Sequence, residues 1–130
     1  MCGAGWNGIL DKLCTSIECY VGEFNKRNPD CPISFKASQV KQKFGGLRFY
    51  GSLDNIELVR SYSLACGDNK ILKDYDIAFH RVFGAISFAE FISTIVCESC
   101  GNKGSIDGNS FRMRCECESC RSSRIAKFDR

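Results

Sequence analysis

No stretch of this chain is apolar for long enough to span a membrane, and residues 1–6 carry neither the charged start nor the apolar run of a secretory leader. Those two absences remove the usual reason for reading ten cysteines in 130 residues as a disulfide scaffold. A reducing cytoplasm is the expected compartment, where cysteines serve as metal ligands or as small buried hydrophobes. The chain also has no nucleophile motif, no Walker-type phosphate loop and no dinucleotide fingerprint. It has one histidine, so the best catalytic groupings are Asp74 and Asp76 with His80, or Cys66 with His80, and neither has a supporting signature. The expectation is a protein that is not an enzyme. There are no repeats and no low-complexity tract, and the length suits one domain able to bury a core around ten phenylalanines.

What the chain does have is two C-x2-C pairs, Cys97 and Cys100 followed by Cys117 and Cys120. Each pair lets a tight turn aim two thiolates at one point, and two such turns supply the tetrahedral sulfur cage that zinc prefers. A structural Zn2+ in a treble-clef or zinc-ribbon-like module is therefore expected. Four protein ligands leave no open position for water, so the metal would staple the fold and not catalyse. Cys115 competes with Cys117 for the third ligand position, although Cys117-x2-Cys120 is the commoner spacing. Cys14, Cys19, Cys31 and Cys66 read as small buried hydrophobes. The formal net charge of +3 falls to about +1 once four thiolates and a divalent ion are counted, which gives no general push toward nucleic acid.

Helical spacing of Ile9, Leu10, Leu13, Ile17 and Val21 predicts a first helix over 7–24, with Trp6 packed back onto it as a staple. Alternation over 35–44 and 47–52 around Gly45-Gly46 predicts a hairpin. Asp54 with Glu57 suggests a capping box opening a helix with Ile56, Val59 and Leu64 inward. Residues 65–85 do not separate into strand or helix. A further helix over 86–96, capped at Ser87 and striped by Phe88, Phe91, Ile92 and Ile95, leads into Cys97. Turns are expected at 101–104 and 107–109, and a basic tail or short helix over 121–130.

Three segments resemble a family of small bacteriophage and prophage proteins. They are Gly5-Trp6 running into the first helix, the stretch Val40-Lys41-Gln42-Lys43-Phe44-Gly45-Gly46-Leu47-Arg48-Phe49-Tyr50, and Cys97-Glu98-Ser99-Cys100-Gly101. Ala89-Glu90 to Ser93 fits the family's helix before the first cysteine pair. The resemblance spans roughly 5–65 and 87–120 and leaves 66–85 as an insertion. Its members often finish the metal site with a cysteine and a histidine, where this chain has Cys117 and Cys120. The family carries no agreed activity, so it implies a phage origin more than a function.

The fold expected is α+β in one domain over 1–130: an α+β core over 1–96 with an N-terminal helix, a β-hairpin or small antiparallel sheet and further helices, the metal module over 97–120, and the tail. The phage resemblance implies an accessory protein in the cytoplasm of a bacterial host that binds and inhibits a host protein or defence complex. The alternative is direct DNA or RNA binding through the basic, aromatic hairpin. Lys41, Lys43, Arg48 and Tyr50, with Arg112 and Arg114 beside the metal module, are the candidate partner-binding residues. The plainer reading has Phe44, Leu47 and Phe49 lining the core while the lysines solvate an outer face.

Overall fold

A computed structural model describes residues 3–106 and 113–128. The architecture is α+β. A 3-10 turn at Ala4–Trp6 leads into α1 (Asn7–Arg27), followed by β1 (Ser34–Lys43), β2 (Gly46–Asp54), α2 (Ile56–Cys66), α3 (Lys70–Ser93), β3 (Ser105–Ile106), β4 (Cys115–Glu116) and α4 (Glu118–Phe128). The β1–β2 and β3–β4 pairs are separate antiparallel sheets.

The long helices α1 and α3 pack on each other and on the inner face of the β1–β2 hairpin. Leu13 and Ile17 of α1, Val82, Ile86 and Ala89 of α3, and Phe49 of β2 form one buried cluster. Phe24, Cys31, Ile33, Val59, Ile71 and Ala78 contribute to a second beneath α2. Phe35 joins the two, with its ring stacked on Phe49 at 6.0 Å between centroids.

The exposed edge of β2 is finished by α3. Ser93 Oγ accepts from Leu47 N at 2.8 Å, and Glu90 Oε2 accepts from Phe49 N at 2.9 Å. Backbone donors that would otherwise be buried without partners are thereby satisfied, and the hairpin is locked to the helix in one register.

The hairpin turn sits one residue earlier than the Gly45-Gly46 reading. Lys43 pairs with Gly46, so the two central residues are Phe44 (φ 55°) and Gly45 (φ 80°). Two positive φ values define the tight turn that matches strand twist, and asparagine is the usual first residue there because other side chains are strained. Phe44 is 64% exposed, so it does not line the core as Leu47 and Phe49 do.

Several expectations need correction. Asp54 ends β2, and Asn55 precedes α2 in the left-handed region with no side-chain cap bond, so no capping box forms. Leu64 is 85% exposed, and Ser63 is the buried residue on that turn, its hydroxyl donating to Asp68 O at 2.8 Å. Residues 70–85, left open between strand and helix, are the first two-thirds of α3 and supply Ile71, Ala78 and Val82 to the core. Ser87 lies inside α3 and caps nothing. Of the four non-motif cysteines named as buried, only Cys31 is; Cys14, Cys19 and Cys66 are exposed.

Replacing Phe44 with asparagine removes the strained, solvent-exposed ring. Phe44→Asn is expected to raise the unfolding free energy by about 0.5–1 kcal/mol in urea titration, and a loss of stability would show that the ring supports the fold.

Candidate metal centre

The chain leaves α3 at Ser93 and turns directly into the first cysteine pair. Cys97 N donates to Asn102 O at 2.7 Å and Gly101 N to Cys97 O at 2.9 Å, closing a tight knuckle whose reversal falls on Gly101 at φ 84°. Val96 bridges to Lys103, and β3 and β4 then pair in register Ser105 to Glu116 and Ile106 to Cys115. Cys117 stands just before α4, and Cys120 lies in its first turn with its N–H 3.4 Å from Cys117 Sγ. Knuckle, short hairpin and helix in this order fit the treble-clef or zinc-ribbon-like module.

This arrangement gathers the sulfurs of Cys97, Cys100, Cys117 and Cys120 within 4.8 Å of one another, with Cys100 and Cys117 3.6 Å apart. The four could hold a metal ion. Cys97 is buried, Cys117 and Cys120 are half-buried, and Cys100 is exposed, so an ion has a route in from one side.

The electrostatics suit thiolate ligands. Burial pushes the Cys97 thiol up, but hydrogen bonds from the backbone of Cys117, Cys100 and Ser99 outweigh it and bring the group down to about 6. Shared hydrogen bonds with Cys117, Cys100 and Cys97 hold the last proton on Cys120, which is pushed up to about 12. A metal would have to displace that proton on binding. The N-terminus of α4 adds a favourable dipole beside Cys117 and Cys120.

Cys115 is not part of the cluster. It is fully buried against Trp6 and Leu47, its Sγ lies 3.2 Å from Thr94 O, and burial followed by the neighbouring Cys97 pushes it up to about 11. It acts as the small core residue that Cys14, Cys19 and Cys66 were expected to be.

The first turn of the chain secures the module to the core. Trp6 is fully buried and its Nε1 donates to Val96 O at 2.8 Å, while Gly5 N donates to Glu98 O at 2.8 Å. A Cβ at Gly5 would lie 2.2 Å from Cys97 O, so only glycine permits this approach.

Two buried glutamates went unrecognised in the sequence. Glu116 is paired with Arg124, whose Nε lies 3.1 Å from both carboxylate oxygens. Glu98 faces Arg114 at 3.9 Å, and burial still holds its carboxyl above the usual range. Their signal was weak, because alternating Arg and Glu around a cysteine motif also describes a solvated surface. Arg114 thus faces a buried carboxylate of the module while its side chain stays 39% exposed. Arg112, the 107–109 turn and Arg130 lie outside the described residues.

Of the catalytic groupings, Asp74 and Cys66 line one open cavity whose lining does not include His80. His80 and Asp76 form an exposed pair along α3 at 3.4 Å, and Asp74 accepts from Asn28 Nδ2 at 3.3 Å. The hairpin residues fare differently. Lys41 is directly opposite Arg48, Gln39 is opposite Tyr50, and Lys43 follows on the same outward face.

No protein-family model matches the chain, and no curated protein or solved structure matches it. Cys100→Ser is expected to lose the bound metal and to loosen the segment from Cys97 onward, whereas Cys115→Ala is expected to keep one metal per chain. Elemental analysis of both purified variants reads the difference, and metal retained by Cys100→Ser with metal lost by Cys115→Ala would reassign the ligand.

Proposed function

We propose that the protein is a zinc-stapled, non-enzymatic phage or prophage product that acts in the cytoplasm of a bacterial host by binding, and so inhibiting, a host protein or defence complex. Zinc is favoured by the donor set. At a Zn–S distance of about 2.3 Å, the edge of a regular sulfur tetrahedron is about 3.8 Å, close to the 3.6 Å between Cys100 and Cys117. Four cysteines fill every position of such an ion, which leaves it a structural part and gives substrate no place on it.

The observation that carries the binding role is the outer stripe of α3. Phe88 and Phe91 are 65% and 63% exposed, and Ile95, in the turn that follows α3, is 49% exposed. By helical geometry this stripe points away from Val82, Ile86 and Ala89, which face the core. Phe88 also lines a groove of about 780 Å³ between α1 and α3, with Ile9, Leu13 and Ala89. A contiguous run of exposed aromatic and aliphatic side chains is costly in water and is the usual composition of a protein-contact anchor. The phage resemblance supplies the kind of partner.

The double substitution Phe88→Ser and Phe91→Ser removes the anchor with little effect on stability, because neither ring is buried. In affinity capture from nuclease-treated bacterial lysate, the parent protein is expected to retain a discrete host complex at one-to-one stoichiometry, and the double variant to lose it. Capture that disappears with nuclease, or that the double variant retains unchanged, contradicts this reading.

A further inference from the structure

We infer that the outward face of the β1–β2 hairpin is a binding site for single-stranded nucleic acid, on a surface distinct from the α3 stripe. The pairing register puts Lys36, Lys41 and Lys43 of β1 and Arg48 and Tyr50 of β2 on one side of the sheet, away from α1 and α3. A β-bulge between Ala37 and Gln39 keeps Lys36 on that side despite the extra residue. Four cations therefore line about 20 Å of strand, a length taken from the rise per residue. Asp54, 4.0 Å from Lys36 at the far end, is the one carboxylate paired with them among the described residues.

Two features of this face run against folding economy. Lys41 stands directly opposite Arg48, and like charges facing each other across a strand pair are destabilising. At the tip, Phe44 holds a left-handed conformation with its ring in water. Local rules broken together on one surface mark a surface kept for binding. The contrast with the metal module is direct, since Arg114 and Arg124 there are paired with buried glutamates.

The composition selects the ligand. Lys41 Nζ lies 5.8 Å from the centre of the Tyr50 ring and Lys43 Nζ 5.4 Å from that of Phe44, so each exposed ring has a cation beside it. A phosphate can take the cation while the adjoining base stacks on the ring, and this alternation repeats along a single strand. Duplex fits poorly. A two-stranded ribbon can enter a major groove, but this hairpin is covered on its inner face by α1 and α3, and stacked bases in a duplex offer no free faces to Tyr50 and Phe44. An acidic polypeptide would satisfy the lysines and leave the rings unused.

The test is fluorescence anisotropy of the metal-loaded protein with a labelled 20-nucleotide oligothymidylate, the matching 20-base-pair duplex, and polyglutamate as competitor. Saturable binding of the oligothymidylate is expected, with a slope of log K against log salt of about −2 to −3 for three or four phosphate contacts. Substituting Lys41, Lys43 and Arg48 together by glutamine should flatten that slope and weaken binding at least 30-fold. Tyr50→Ala should weaken it about tenfold while Tyr50→Phe keeps it, as stacking requires. Phe44→Asn separates binding from folding, because it should weaken binding in a protein that is no less stable. Phe88→Ser with Phe91→Ser should leave oligothymidylate binding unchanged, so failure of one surface does not imply failure of the other. Absence of saturable binding at 50 mM salt, duplex bound as tightly as single strand, or displacement by polyglutamate with no effect of the ring substitutions would each overturn the assignment.

Discussion

Four sulfurs drawn within 4.8 Å of one another are the constraint on which the last third of the chain depends. The elements around them could not persist alone. Strands β3 and β4 are two residues each, and α4 is an eleven-residue helix with a mean hydropathy well on the polar side and no buried residue among those described. A helix of that length is marginal in water without packing. What holds α4 is Cys120 in its first turn and the Arg124–Glu116 pair behind it, and thiolates so close together need a cation to offset their repulsion. In a small domain, a metal held by these sulfurs would add to the small apolar cluster of Trp6, Leu47 and Cys115 that this end of the molecule buries.

The module is joined to the core through one seam. Trp6 reaches across to Val96, Gly5 packs on the backbone of Cys97 and Glu98, and Cys115 and Leu47 fill the space between. Glu90 and Ser93, on the last turn of α3 before the knuckle, cap the strand that carries Leu47 and Phe49. The segments around Gly5-Trp6, Leu47 to Phe49, Glu90 to Ser93 and the first cysteine pair therefore meet at one place in the fold. Each supplies a contact that the others need.

The parts legible in the sequence were those governed by short-range rules. Helix α1 follows its apolar spacing, the hairpin follows its alternation, and the cysteine spacing alone pairs Cys97 and Cys100 with Cys117 and Cys120. The end of α3 was legible as a helix over 86–96, whereas 65–85 stayed unassigned and the inward face of the last turns was hidden. Its inward positions near the C-terminal end are small or polar, Ala89 and Ser93, while the bulky Phe88 and Phe91 face water, so the apolar stripe marks the wrong side. Periodicity assigns a face by bulk and hydrophobicity, and here the core prefers small residues because α1 and the hairpin approach closely. The same bias toward bulk read Leu64 of α2 as inward, where the structure buries Ser63 and exposes Leu64. Asp54 was read as a cap because it has the right side chain, but pairing with Ser34 holds it in the strand. Cys115 illustrates the limit of spacing: residues two apart on one strand share a face, but β4 ends at Glu116, so Cys117 leaves the strand and joins the cluster while Cys115 stays in the core.

The basic hairpin face and the aromatic stripe of α3 are both presented by a scaffold whose rigidity comes from the seam and from the sulfur cluster, so the state of that cluster is the central point. X-ray absorption at the zinc edge of the purified protein addresses it most directly. A closed structural site predicts four sulfur scatterers at about 2.3 Å and no nitrogen or oxygen in the first shell. A shell with three sulfurs and a light atom, or protein that purifies fully folded without zinc, would contradict it.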